Sequence, residues 1–197
     1  MTLPAGAADK TILVWGDSIS AGLGLDADAG WVHLLEQRLQ KQGAGYQVVN
    51  ASVSGETTAG GLSRLPAALQ KYHPAVVLLE LGGNDGLRGQ PLPAMHANLA
   101  KMIDLSRAAG AQPLLFEMRI PSNYGPVYGD RFAQVFGAVA QEKQATLVPF
   151  FLAAIATDPG RWFQDDGIHP NAAAQPQLLD AVWPTLAPLV GRKAAHP

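Results

Sequence analysis

Ile12-Leu13-Val14-Trp15, followed at once by Gly16-Asp17-Ser18-Ile19-Ser20, joins an unbroken apolar run to a polar turn that begins with glycine. A run apolar at every position suits a parallel strand covered on both faces, because a strand with one wet face would alternate. Gly, Asp and Ser are turn formers. Glycine supplies unusual dihedrals, and Asp and Ser hydrogen-bond nearby backbone at turns and helix starts. For a lone strand followed by Gly-Asp-Ser, a turn is explanation enough. What the rest of the chain brings to the same place decides whether Ser18 has chemistry.

Outward from this strand, helical and strand patterns alternate. Trp31, Leu34, Leu35 and Leu39 recur at helical spacing up to Gly43, and Tyr46–Val49 reads as a second strand. Leu62, Leu65 and Leu69 mark a second helix, and Ala75–Leu81 (AVVLLEL) is the strongest strand pattern of the chain. Met95, Leu99, Met102 and Ile103 form a third helical stripe ending at Gly110, and Pro113–Met118 is a fourth strand. Phe132, Val135, Phe136 and Val139 line a fourth helix, before a fifth strand over Leu147–Leu152. A last helix over residues 172–190 contains Pro176, Pro184 and Pro188, so it is expected to be short or bent. Repeated β-α units predict an α/β fold, a three-layer α/β/α arrangement on a five-stranded parallel sheet. The order 2-1-3-4-5 follows by analogy with flavodoxin-like, doubly wound sheets. One domain is expected over residues 11–190, between tails at 1–10 and 191–197.

Composition narrows the function classes. The 197 residues are 48% hydrophobic, enough for a substantial core. Fourteen basic against sixteen acidic residues give a net charge of −2 and no basic stripe, which argues against a nucleic-acid partner. No apolar run approaches the roughly 18–20 residues that span a bilayer. Cysteine is absent, so disulfides, thiolate metal sites and a Cys nucleophile are excluded. Residues 1–10 hold no hydrophobic signal-peptide core, but Ala5-Gly6-Ala7 resembles the small-residue end of one, and a periplasmic or secreted chain is the expectation.

In a parallel α/β sheet the site lies at the carboxyl ends of the strands. Four polar, glycine-bearing loops are expected there: Gly16-Asp17-Ser18, Asn50-Ala51-Ser52-Val53-Ser54-Gly55, Gly82-Gly83-Asn84-Asp85, and Asp165-Asp166-Gly167-Ile168-His169-Pro170. A serine hydroxyl needs a neighbouring base, and histidine suits neutral pH. His33, His73, His96 and His196 fall on helix faces, a turn and the tail, so His169 is the candidate. Asp166-x-x-His169 lets one turn bring a carboxylate against Nδ1–H and leave Nε2 facing Ser18. Asp165 reads as a solvated or capping acid. For the developing oxyanion, the Ser18 N–H, the Gly55 N–H and the Asn84 amide make a three-donor pocket. Leu87 and Tyr124, on loops flanking the site, are expected to line an acyl groove.

The blocks Gly16-Asp17-Ser18-Ile19-Ser20, Gly55, Gly82-Gly83-Asn84-Asp85 and Asp166-Gly167-Ile168-His169-Pro170 resemble those of the SGNH (GDSL) hydrolases, in the family's order. The stretches VNASVSGETTAGGLSRLPA, ELGGNDGLRG and DDGIHPN carry the likeness toward its thioesterase, lysophospholipase and arylesterase members. The resemblance spans about residues 11–190. It implies Ser18 as nucleophile, His169 as general base and then acid, Asp166 as its orienter, and Ser18, Gly55 and Asn84 as the oxyanion hole. It departs from the family at Ile19, where Leu is usual. The implied activity is hydrolysis of aryl or acyl esters, acyl-thioesters and lysophospholipids by a monomer, with no cofactor and no metal. Two rivals share the fold: a non-catalytic binding protein, and a nucleotide-binding module using Gly22-Leu23-Gly24-Leu25-Asp26-Ala27. The second fits poorly, because that motif starts well after Trp15 and strand two ends in Asn50 instead of an acid. A metal hydrolase would have to use Asp17, Asp85, Asp166 and His169, whose spacing is not typical of a metal site.

Overall fold

The computed structural model describes residues 10–191. Five strands, β1 (Lys10–Gly16), β2 (Tyr46–Asn50), β3 (Val76–Glu80), β4 (Gln112–Phe116) and β5 (Thr146–Val148), pair in parallel in the order β2-β1-β3-β4-β5. β1 pairs with β3 from Ile12↔Val76 to Gly16↔Glu80, which sets the Gly-Asp-Ser turn beside the end of the central strand. β3 is buried along its whole length and β1 from Thr11 onward, as their unbroken apolar runs require.

The helices are α1 (Ser18–Ala21), α2 (Trp31–Gln42), α3 (Thr58–Tyr72), α4 (Gly83–Leu87), α5 (Leu92–Ala108), α6 (Pro126–Lys143), α7 (Pro159–Trp162) and α8 (Gln175–Val190). α2 packs against α8, while α5 packs against both α3 and α6, so the sheet lies between two helical layers. Trp31, Val32, Leu35 and Leu39 form the buried stripe of α2, which stops at Gly43 in the left-handed conformation. Trp31, Phe116 and Phe151 meet with ring centroids 5.3–6.1 Å apart and join α2 to the sheet.

β3 and β4 differ from the sequence expectation by one or two residues at their ends, and three further differences have a physical cause or move a domain boundary. β5 ends at Val148 and does not reach Leu152: Pro149 has no N–H to continue the ladder, and Phe151–Ala154 turn into a 3₁₀ helix. The last helix is not short. A 3₁₀ turn at Ala172–Ala174 leads into sixteen residues of α8 that run through Pro184 and Pro188. An interior proline costs about 3 kcal/mol, but Leu178, Leu179, Val182, Leu186 and Val190 are buried along this helix. At about 1.5–3 kcal/mol for each such side chain, packing outweighs the lost hydrogen bonds. Lys10, assigned to the tail, already pairs with Tyr46. The rest of the expected N-terminal tail, including Ala5-Gly6-Ala7, and residues 192–197 with His196 lie outside the described residues. Among the described residues, no helix is long and apolar enough to cross a membrane.

Candidate active site

Two short helices missed by periodicity carry the first groups. β1 ends at Gly16, where a Cβ would come within 2.5 Å of Glu80 Oε2 and 2.8 Å of Ser20 Cβ, so the close approach of the two strand ends requires glycine. Asp17 then caps α1, its Oδ1 accepting from Ile19 N–H at 3.0 Å, and Ser18 opens the helix. On the β3 side, α4 holds Asn84, whose Nδ2 donates to Asp17 Oδ2 at 3.1 Å. Asp85 beside it accepts from both Thr58 N–H, at 2.8 Å, and Thr58 Oγ–H, at 2.5 Å, and so ties α4 to the start of α3.

The Gly55 loop is pinned to β1 by Ala51 N–H to Val14 O and Val53 N–H to Gly16 O, each 3.0 Å, and by Gly16 N–H to Ser52 Oγ at 3.1 Å. Gly55 has φ +77°, in the left-handed region that suits glycine, and its carbonyl accepts from Arg88 Nη2 at 3.0 Å. Among the described residues, neither the Ser18 N–H nor the Gly55 N–H has a hydrogen-bond acceptor.

Across the edge, Asp166 Oδ1 accepts from Ile168 N–H at 2.8 Å and His169 N–H at 2.9 Å, which curls the loop back on itself. Asp166 Oδ2 then lies 2.6 Å from His169 Nδ1, and His169 Nε2 lies 2.8 Å from Ser18 Oγ. The carboxylate keeps the imidazole proton on Nδ1, so Nε2 accepts from the serine hydroxyl. The His169 and Ile168 N–H groups and the imidazole hold the Asp166 carboxyl down at about 2. Asp165 is exposed, as expected of a solvated acid. Gln164 is a residue that sequence reasoning missed. Its Nε2 donates to Leu23 O at 2.8 Å and Pro170 O at 3.2 Å, clamping the His169 loop to the segment after α1.

Ser18, Gly55, Asn84 and His169 open onto a cleft of about 710 Å³, walled mainly by Leu87, Met118, Ile120, Phe150, Phe163 and Ile168. Leu87 is thus one of the lining residues. Tyr124 does not line the cleft. A 3₁₀ turn over Ser122–Tyr124 precedes Gly125, and the Tyr124 hydroxyl donates to Leu87 O at 3.0 Å, so it braces the backbone behind Leu87. The segment Gly22–Ala27 starts no helix. Gly22 terminates α1, and the next helix begins at Trp31, so no phosphate-binding helix start is formed there. Among the described residues, no three His, Asp or Glu side chains converge as metal ligands.

The chain is 55% identical to an esterase of Pseudomonas aeruginosa, TesA, over 93% of this chain and 91% of the relative. It is 45% identical to the thioesterase 1/protease 1/lysophospholipase of Escherichia coli, over 96% and 89% of the two chains. Among solved structures, a TesA crystal structure superposes with a TM-score of 0.88 at 55% identity, covering 91% of this chain and 99% of that one. A psychrotrophic esterase of a Pseudoalteromonas species, inhibited by monoethylphosphonate, superposes with a TM-score of 0.87 at 42% identity, over 91% and 98% of the chains. The family model described as GDSL-like Lipase/Acylhydrolase matches residues 14–175, the span that carries all four strand-end blocks, and the chain belongs to that family.

Proposed function

We propose that this protein is a serine hydrolase that cleaves carboxylic esters and acyl-thioesters through an acyl-enzyme on Ser18. The observation that carries the reading is the relay Asp166 Oδ2, His169 Nδ1, His169 Nε2, Ser18 Oγ, with contacts of 2.6 and 2.8 Å opening onto an apolar cleft. In acylation, Ser18 Oγ bonds to the carbonyl carbon while His169 Nε2 takes its proton, and that proton then goes to the leaving oxygen or sulfur. Water repeats the sequence on the acyl-enzyme and returns free Ser18 and a carboxylic acid. Asp166 stays ionised throughout and stabilises the imidazolium. The Ser18 and Gly55 N–H groups and the Asn84 amide face the oxygen on which negative charge grows, each worth roughly 10²–10³ in rate.

The apolar wall of the cleft supports an acyl chain as the part of the substrate bound there, which admits lysophospholipids beside simple esters and thioesters. All the proposed groups come from one chain over residues 18–169, so a single chain supplies the whole site, and a monomer belongs to the same proposal. A periplasmic or secreted setting belongs to the same proposal, on the strength of Ala5-Gly6-Ala7.

An organophosphonate should add once per chain, at Ser18, and Ser18→Ala should abolish turnover while keeping its circular dichroism. Labelling at another serine, or an active Ser18→Ala protein, would end this reading. Loss of activity with EDTA would replace it with a metal hydrolase.

A further inference from the structure

Asp17 lies directly before the proposed nucleophile and is only 3% exposed, yet the acyl-enzyme scheme gives it no task. We propose that Asp17 is a positioning residue for the reaction: its buried carboxylate holds the Asn84 amide so that the NH₂ end serves the oxyanion. This rests on the reading of Asn84 as an oxyanion donor. A carboxylate only accepts hydrogen bonds, so the Asn84 amide must turn its NH₂ group toward Asp17 Oδ2, 3.1 Å away. One N–H is used there and the second is left for the cleft. Without Asp17 the amide could rotate and present its own carbonyl oxygen, which would repel the oxyanion. The other carboxylate oxygen accepts from Ile19 N–H in α1, so one side chain fixes the start of the serine helix and the Asn84 amide together.

The groups around Asp17 keep it charged. Glu80, at the end of β3, is fully buried; its Oε2 accepts from Ser20 Oγ–H at 2.5 Å and Asp17 N–H at 3.3 Å, while its Oε1 has no partner among the described residues. Burial, with the neighbouring Asp17 charge, pushes the Glu80 carboxyl well above its ordinary value, so Glu80 holds the proton of the pair. Burial also raises Asp17, to about 6, with Asp85 of α4 adding to the rise and Ile19 N–H, His169 and Asn84 opposing it. Asp17 is therefore ionised at neutral pH and takes up a proton as pH falls through about 6, when it ceases to be a pure acceptor for Asn84.

Asp17→Asn keeps the shape, but an amide cannot accept from both Ile19 N–H and Asn84, since one of its ends is itself a donor. The expected result is a kcat lower by roughly 10–100-fold with KM nearly unchanged. In an Asn84→Ala background, where no amide remains to be oriented, the same substitution should cost less than about threefold more. An equal loss in both backgrounds, or a raised KM with intact kcat, overturns the role of Asp17. An Asn84→Ala protein with full kcat overturns the oxyanion role of Asn84 instead, so the two failures are distinguishable. A readout without any change at Asp17 covers the case where Asp17→Asn does not fold. In a His169→Gln protein, which lacks the imidazole charge that lowers Asp17, the Asn84 side-chain amide resonances should shift with a midpoint at or above pH 6. Resonances that stay flat between pH 8 and 5 would overturn the proposal.

Discussion

Ser18 Oγ and His169 Nε2 lie 2.8 Å apart although 151 positions separate them in the chain. The serine opens α1 just past the end of β1, near the middle of the sheet, and the histidine lies on a loop that Gln164 clamps against Leu23. Neither loop makes the pair alone. The parallel sheet, which brings its strand ends to one edge, does so.

Asp166→Asn tests the far end of that pair. The substitution keeps an oxygen for the Ile168 and His169 N–H groups but turns an NH₂ toward His169 Nδ1. The imidazole then has to carry its proton on Nε2, where it cannot accept from Ser18. Steady-state kinetics should give a kcat lower by roughly 10³–10⁴-fold. A loss below tenfold would show that Asp166 merely shapes the loop. Because the Asp166 carboxyl is held at about 2, it stays ionised across the whole working range and contributes nothing to the acid limb of the pH profile.

Asn84→Ala should lower kcat by roughly 10²-fold or more with little change in KM, because the amide is expected to bind developing charge more strongly than the ground-state carbonyl. A mutant whose only defect is a raised KM would make Asn84 a substrate-binding group.

Leu87 and Tyr124 should now behave differently. Leu87 lines the cleft, and each methylene that enters such a groove adds up to ~0.8 kcal/mol, or about fourfold in kcat/KM. Leu87→Ala should flatten the dependence of kcat/KM on acyl chain length while acetyl esters react nearly as before. Tyr124→Phe removes one bond to the Leu87 carbonyl, worth at most about 1 kcal/mol of stability, and should leave the chain-length profile alone. If Tyr124→Phe flattens the profile and Leu87→Ala does not, the wall of the groove has been misplaced.

Glu80→Gln tests the buried proton. The folded-state Glu80 carboxyl is raised above its ordinary value of 4.5, so the native protein holds a proton that the unfolded chain releases. Stability from this group is therefore present below about 4.5 and is lost as pH rises toward the folded-state value. Glutamine mimics the neutral acid at every pH, and the melting temperature of Glu80→Gln relative to the parent should rise from pH 5 to pH 8. An offset that is constant with pH would mean that Glu80 is ionised in the folded state.

Strand runs and glycine-bearing loops were legible wherever a local pattern had one physical cause. β1 and β3 were legible because burial on both faces leaves Ile12–Trp15 wholly apolar and β3 apolar up to Glu80 at its very end. That acid in an otherwise apolar strand was a visible signal, but its partners Ser20 and Asp17 were not. β5 was read too long because an apolar run cannot distinguish a strand from a 3₁₀ turn packed on the same core, and Pro149 decided between them. α1 and α4 are too short to show any periodicity. α8 is longer than its prolines suggest because buried contacts with distant elements outweigh a local preference.

The sequence by itself determined the parallel α/β architecture and singled out Ser18, Gly55, Asn84, Asp166 and His169 as candidates, because residue type, spacing and strand-end position are local properties of the chain. Only the tertiary structure decided the rest: that Asp17 faces Asn84, that Asp85 holds Thr58, that Gln164 clamps the histidine loop, and that Tyr124 braces Leu87 from outside the cleft. Each of these pairings joins different elements, and a side chain's partner across a fold depends on the three-dimensional packing of those elements, which no local pattern encodes.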